Sequence, residues 1–199
     1  MPTSRQNILD QIRQHSLGPT DLPSLDGEWI TYADPRRQFA EVLESVGGRC
    51  VVVEDASRIH RELQQLPAFQ QARKIVSLVP AVAVSTVDFD GIDDPHTLDD
   101  VDFAIAAGQF AVAENAAVWV TGEGVKHRAI YFIAQHLALV VPATQIVDNL
   151  HQAYERLTFP TAGFGVFISG PSKTADIEQS LVIGAHGARS LTVFLVEHA

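Results

Sequence analysis

Apolar positions recur along the chain in two patterns, one typical of amphipathic helices and one typical of buried strands. Residues 4–15 carry apolar side chains at helical spacing, and a second such pattern follows Asp34 and Pro35, a capping residue and a proline. Runs rich in valine and isoleucine at 49–54 and 74–78 flank a further helical pattern that starts near Ile59. This order predicts βαβ units whose parallel strands are covered by helices on both faces.

An apolar stretch at 103–121, rich in small residues, carries Glu114 and Asn115 in its middle. A carboxylate and a carboxamide between two apolar runs must be hydrogen-bonded or must face a cavity. Three further elements are expected after it: a helix over 129–136, a strand over 137–141, and a helix capped by Thr144 that runs to Leu157.

The densest pattern of polar residues follows a predicted strand at 166–169. A tight turn over 170–172 leads into a helix capped by Thr174, because a threonine hydroxyl can accept from an unpaired N–H of the first turn. A glycine at 184 or 187 can end that helix, and a strand over 191–196 follows. Ligands bind at the carboxyl ends of strands in open α/β sheets, so this turn is a candidate site.

The turn resembles a phosphate-binding loop only superficially, because it lacks the long glycine-rich span of that motif. Asp176 and Glu178 lie in the first turn of the predicted helix, where negative charge suits the helix dipole but Asp176 would repel phosphate. Lys173 and Ser172 remain able to bind a smaller carboxylate or phosphate.

His186 lies between two glycines at the predicted helix end. There it can titrate near neutral pH or cap backbone carbonyls, and the sequence leaves both roles open. A hydrolase triad of Ser172, His186 and Asp176 is disfavoured, because no G-x-S-x-G nucleophile elbow accompanies it. The other histidines show no metal-ligand spacing, so a zinc site is not expected.

Composition narrows the class of protein. With 199 residues, 46% of them hydrophobic, the chain is expected to form one α/β domain over 33–199, preceded by a helix and an extended arm over 1–32. The net charge of −10 argues against a general nucleic-acid binder but permits a small anion bound by a local cation. No signal core and no run of roughly 18 apolar residues is found, so we expect a cytoplasmic protein without a membrane span.

The lone cysteine and the aspartates limit the cofactors that we expect. Cys50 precedes a valine run, so it is expected in a buried strand, and one thiol cannot ligate an iron–sulfur cluster, which needs about four. Residues 88–102 hold seven aspartates, but a calcium loop is disfavoured because its glycine is misplaced and its twelfth position lacks Glu. We therefore expect an exposed acidic loop, no metal site and no cofactor.

Ser-Gly-Pro-Ser-Lys-Thr-Ala-Asp-Ile-Glu-Gln at 169–179, followed by Leu-Val-Ile-Gly-Ala-His-Gly at 181–187, resembles the C-terminal signature of the lactate-utilisation domain family, also called the LUD, LutC or YkgG family. The resemblance extends more loosely back to Glu114 and Arg128. It implies a three-layer α/β/α sandwich with a largely parallel sheet, similar to the ribose-phosphate isomerase, glucosamine-phosphate isomerase and CoA-transferase group. It also implies a cluster-free role beside two iron–sulfur subunits in the oxidation of L-lactate to pyruvate.

The chain departs from the family pattern in two places. Asn115-Ala116 replaces Thr-Gly, and Gln109 replaces an Asp. The first change removes a hydroxyl and adds bulk at a place where a ligand can approach.

The resemblance and the residues together predict a strand-end pocket for a small anionic metabolite. Glu114 is the candidate general base or nucleophile, provided that burial raises its pKa. Arg128 or Lys173 would bind a carboxylate through a charge-assisted hydrogen bond. The predicted ligand-binding residues are Asn115, Arg128, Ser169, Gly170, Ser172, Lys173, Thr174, Asp176, Glu178 and His186.

Three alternatives remain open on the sequence alone. The polar residues of the signature could simply tie the turn to the Glu114 loop. The chain could be a stand-alone isomerase or CoA-transferase-like enzyme, acting on a sugar phosphate or acyl-CoA with Glu114 as nucleophile or base. It could also be a non-catalytic scaffold whose N-terminal arm mediates homo-oligomers or docks redox partners.

Overall fold

The computed structural model describes residues 3–15, 21, 23–157, 163–173, 183–184 and 186–198. The helices are α1 (Ser4–Gln14), α2 (Pro35–Ser45), α3 (Ile59–Leu63), α4 (Pro67–Gln71), α5 (Ile130–Ile133) and α6 (Leu150–Arg156). The strands are β1 (Arg49–Asp55), β2 (Ile75–Ser77), β3 (Phe103–Ala107), β4 (Phe110–Val112), β5 (Ala117–Thr121), β6 (His136–Pro142), β7 (Ile146–Val147), β8 (Gly165–Ser169) and β9 (Ser190–His198). Short 3-10 turns cover Ala56–Arg58 and Pro95–Leu98.

A five-stranded parallel sheet in the order β1-β9-β6-β3-β2 is the centre of the molecule. Side chains of β6 alternate between its two faces, with Leu137 and Leu139 in one apolar cluster and Ala138 and Val140 in another. Helix α2 packs on the first face through Phe39, and helices α3 and α4 cover the second. The expected parallel sheet with flanking helices is therefore confirmed.

A second sheet, in the order β7-β4-β5-β8, combines one parallel pair with two antiparallel pairs. The chain passes from the first sheet to the second at Gly108, whose N–H donates to Val140 O while the next residue donates to Trp119 O. A Cβ at Gly108 would lie 2.4 Å from Val118 and 2.8 Å from Val141, so only glycine allows the two sheets to approach here.

The structure corrects the helix expected from Thr144 to Leu157. Ile146 and Val147 instead form β7, which pairs with Ala111 and Val112 of β4. Asn149 is the actual cap, and its side-chain oxygen accepts from Gln152 N at 3.0 Å. Pairing with β4 satisfies the backbone of β7, so tertiary contact overrides the helical spacing of the apolar residues.

Other expected elements are shorter or divided. The stretch 103–121 forms three strands, the helix expected at 129–136 is reduced to α5, and the helix expected near Ile59 ends at Leu63 before a separate α4. The helix expected after Thr174 lies outside the described residues. Gly184 does adopt the left-handed conformation proposed for its end, with φ of +81°.

The N-terminal segment contributes two features. Helix α1 buries none of its residues, and every position from 4 to 14 is exposed. The arm that follows lies against α6: Trp29 stacks on His151 with ring centroids 3.5 Å apart, and Asn149 donates to Ile30 O at 2.8 Å. Within the described part of the chain, no helix is long and apolar enough to cross a membrane.

Candidate functional site

The signature loop, residues 170–173, is positioned by the end of β8 and by the segment that precedes β9. Gly170 has φ of +68°, and a Cβ there would lie 2.9 Å from Val46 at the end of α2. Ser172 N–H donates to Ala188 O at 2.8 Å, and Gly184 N–H donates to Ser172 O at 3.0 Å. The loop is therefore fixed by a left-handed turn and by backbone hydrogen bonds on both sides.

A cavity of about 440 Å³, here called the signature-loop cavity, opens beside this loop. It brings together five of the residues expected to bind a ligand: Ser169, Gly170, Ser172, Lys173 and His186. Lys173 and His186 are exposed, and Ser172 is half-buried. Among the described residues that line the cavity, Lys173 is a cation and none is Asp or Glu.

The apolar wall of the cavity comes from remote segments that sequence analysis did not connect with the site. Its residues are Val46, Tyr131, Phe132, Leu137, Phe167, Ile168, Pro171, Ala188 and Leu191, with Gly187 at the rim. Tyr131 donates its hydroxyl to Thr121 O at 2.9 Å, and burial raises the pKa of this phenol. No local sequence pattern predicts that these residues line one cavity. They come together only when α2, α5 and β6 pack against β8.

Asn115 touches the site through its backbone. Ser169 Oγ donates to Asn115 O at 2.6 Å, while Asn115 Oδ1 accepts from Ala117 N at 3.1 Å. The turn between β4 and β5 places Ala116 at φ of +53°, in the left-handed region that favours glycine. The observed contacts of the Asn115 side chain therefore stabilise the turn.

Glu114 does not line the signature-loop cavity. Its Oε2 accepts from Leu150 N at 2.9 Å, and its own N–H donates to Asp148 O at 2.9 Å. The side chain is exposed, so the burial on which a general-base role depended is not observed. This geometry joins Glu114 to the start of α6.

Arg128 is also separate from the signature loop. It lines a different cavity, of about 770 Å³. That cavity includes Gly165, the first residue of β8, whereas Ser169, which lines the signature-loop cavity, is the last residue of β8. A five-residue strand spans about 13 Å at 3.3 Å per residue. The structure thus corrects the single pocket expected for Glu114, Arg128 and Lys173.

Thr174, Asp176 and Glu178 lie outside the described residues.

The acidic loop at 88–102 carries aspartates that bond to the backbone. Asp94 caps a 3-10 turn by accepting from His96 N at 2.9 Å, and this bond lowers the pKa of its carboxyl. Asp102 accepts from the backbone N–H groups of Lys74 and Arg73, and these bonds likewise lower its pKa. Among the described residues, no group of three or more His, Cys, Asp or Glu side chains could bind a metal ion.

The lone cysteine lies in β1, as the valine run predicted. Cys50 is half-buried in the protein, and desolvation by burial, with the nearby charge of Glu44, raises the pKa of its thiol to about 11. A thiol with a raised pKa is mainly protonated at neutral pH and is a weak nucleophile.

Comparison with known proteins finds relatives that are similar in sequence to part of this chain. Lactate utilization protein C 1 of Bacillus mycoides is 32% identical over 102 residues, which cover 48% of this chain and 44% of the relative. Lactate utilization protein C of Shouchella clausii is 26% identical over 165 residues, which cover 79% of this chain and 66% of the relative. The chain therefore spans less than two thirds of the length of each of these two relatives.

A solved structure shows that the fold is shared. The crystal structure of a DUF162 family protein from Deinococcus radiodurans matches 84% of this chain and 99% of its own, with a TM-score of 0.62 and 20% sequence identity. The sequence profile of the LUD domain matches residues 83–196, which include β3 to β8, most of β9 and the signature loop. More than half of the chain is thus matched, and the chain belongs to the LUD domain family.

Proposed function

We propose that this chain is a LutC-like lactate-utilisation protein, a cluster-free accessory component in the oxidation of L-lactate to pyruvate, and that its signature-loop cavity binds a small anionic metabolite. The observation that carries the metabolite site is the convergence of Ser172, Lys173 and His186 on one cavity without an Asp or Glu among its described lining residues. The names of the related proteins support the pathway.

The geometry supports an anion site with one main cation. Lys173 is exposed at the end of the loop, where its ammonium group can donate to a carboxylate through a charge-assisted hydrogen bond. Ser172 lies against Gly187, at which a Cβ would come within 3.0 Å of the serine side chain. Glycine at this position therefore leaves room for the hydroxyl beside the cavity.

The proposed role also requires another component to accept the electrons that L-lactate releases. Oxidation of L-lactate to pyruvate releases two electrons and two protons, and a chain with a single cysteine has too few thiolates to ligate an iron–sulfur cluster. The iron–sulfur lactate-utilisation subunits would accept the electrons, and this chain would bind the substrate or product beside them. A pull-down with those subunits tests the association.

Thermal shift tests the metabolite site. At about 100 times the dissociation constant, L-lactate or pyruvate should stabilise the protein by about 2.7 kcal/mol, or roughly 5–10 °C for a domain of this size. Lys173→Ala should abolish the shift without lowering the melting temperature of the free protein, because Lys173 is exposed. Arg61→Ala, which removes an exposed cation from α3, is the matched control. An equal shift in both variants would contradict the assignment of Lys173.

A further inference from the structure

We propose a second anion-binding site, separate from the signature-loop cavity, in the cavity lined by Lys126, Arg128 and Arg156. Its ligand class is a metabolite-sized anion with at least two negative charges, carried by phosphate or carboxylate groups. This inference does not depend on the proposed lactate role.

The cavity, here called the basic cavity, lies where β5 and β8 meet the end of α6. It has a volume of about 770 Å³, within the range of about 300–1,000 Å³ that is usual for small-molecule sites. Its polar and charged lining includes Gln109, Thr121, Glu123, Lys126, Arg128 and Arg156.

The local charge is opposite to that of the whole chain. Three cations and one carboxylate, Glu123, line the basic cavity, whereas the chain as a whole has 14 basic and 24 acidic residues. Lys126 already pairs with Asp93 at 3.2 Å and donates to Asp90 O. The charge available to a ligand therefore comes mainly from the two arginines.

Neither Arg128 nor Arg156 forms an ion pair within the described part of the chain. Each guanidinium instead lies over an aromatic ring, Arg128 at 5.4 Å from the Phe164 centroid and Arg156 at 5.9 Å from the Phe110 centroid. A guanidinium that contacts a ring through its face keeps donors at its edge for a phosphate or carboxylate. Arg156 uses part of that capacity on Gln145 Oε1 at 3.3 Å.

Two glycines let the lining side chains adopt these positions. A Cβ at Gly122 would lie 2.8 Å from Arg128 Cδ, and a Cβ at Gly165 would lie 2.1 Å from the Trp119 ring. The stem of Arg128 and the indole therefore rest directly on backbone. Gln109 donates to Thr121 Oγ1 at 3.3 Å and adds neutral polar groups to the same lining. A positioned guanidinium loses less conformational entropy when it binds a ligand.

Calorimetry with pyrophosphate and with malonate, at low ionic strength, tests the site and distinguishes phosphate from carboxylate chemistry. We expect saturable binding of at least one probe and about tenfold weaker binding in Arg128→Gln, the effect of losing one charge-assisted hydrogen bond. Arg156→Gln should weaken the same probe independently. Arg61→Gln, in an exposed cation remote from the cavity lining, should bind as the unchanged protein does.

Tryptophan emission gives a second readout, because Trp119 lines the basic cavity and Trp29 lies on the arm. In a Trp29→Phe background, titration with the bound probe should change Trp119 emission with the affinity found by calorimetry. No binding of either probe, or binding weakened by Lys173→Gln but not by Arg128→Gln, would overturn the proposal. Equal weakening by Arg61→Gln would show a nonspecific charge effect and would overturn it as well.

Discussion

The turn between β4 and β5 shows how one side chain stabilises a strained backbone position. Ala116 adopts φ of +53° with its side chain fully buried, a conformation that costs an L-residue about 1–2 kcal/mol relative to a right-handed one. Asn115 accepts from Ala117 N–H and its carbonyl receives the Ser169 hydroxyl, so two hydrogen bonds stabilise the strained turn. Ser169, which donates to the turn, also lines the signature-loop cavity.

The first prediction is that Asn115→Ala destabilises the protein by about 1 kcal/mol, because Ala117 N–H loses its side-chain acceptor. Asn115→Asp keeps an oxygen at the same place and should retain most of the stability. Urea unfolding of the three proteins measures the difference. If both variants were equally destabilised, the hydrogen bond would not be the source of the effect.

At the scale of elements, the edge strand β2 depends on a side chain that precedes β3. Asp102 Oδ2 accepts from Arg73 N at 2.7 Å and from Lys74 N at 2.9 Å, and thus ties the start of a three-residue strand to its neighbour. The Lys74 and Arg73 backbone bonds lower the pKa of the Asp102 carboxyl in the folded state. A depressed carboxyl pKa stabilises the fold above the unfolded pKa, and that contribution is lost as pH falls through the folded value.

The second prediction concerns the pH dependence that the lowered pKa of Asp102 gives to the stability of the protein. The stabilising effect of Asp102 should be complete above about pH 4, the unfolded value for Asp, and should disappear at lower pH. Asp102→Asn should be less stable than the unchanged protein at neutral pH, and the difference should narrow on acidification. Urea midpoints across that range measure it.

Asp90→Asn provides the control, since Asp90 is exposed and its side chain makes no hydrogen bond within the described chain. This variant should keep the neutral-pH stability of the unchanged protein. A pH-independent gap between Asp102→Asn and the unchanged protein would contradict the electrostatic explanation.

At the scale of the whole molecule, the arm over 23–32 is joined to the LUD domain at the start of α6. Tyr32 N–H donates to Asp148 Oδ1 at 3.0 Å, Asn149 donates to Ile30 O, and Trp29 stacks on His151 at an interplanar angle of 13°. Asn149 is 1% exposed and also caps α6, so one side chain serves both the helix and the arm. The division of the chain into 1–32 and 33–199 remains a prediction.

The third prediction concerns this attachment. Trp29→Ala should loosen the arm with a small change in global stability, because Trp29 is 44% exposed and contacts the domain mainly through one ring. Hydrogen exchange at Tyr32 N–H should accelerate, and proteases should cut the arm faster. Leu25→Ala, at an arm residue that is 65% exposed, should leave both rates unchanged. Equal rates in the two variants would show that the ring stack does not attach the arm.

Much of the architecture follows from local sequence because its signals act over a few residues. Three features depend on backbone conformation and short-range periodicity: the apolar runs of β1 and β9, the Asp34-Pro35 start of α2 and the glycine turn at Gly170. The signature motif likewise identified the LUD family. The residues of the signature loop lie at one cavity because residues adjacent in one turn stay adjacent in space.

The tertiary structure decided what depends on long-range pairing. Val147 is in a strand and not in a helix because β4 lies beside it. Glu114 contacts Leu150 because the segment after β4 lies beside the start of α6. Arg128 lines the basic cavity with Gly165 at the start of β8, whereas Lys173 lines the signature-loop cavity with Ser169 at its end. Periodicity shows on which face of its own helix or strand a residue lies. The residues that this face contacts are set by the packing of distant segments, and no local pattern encodes that packing.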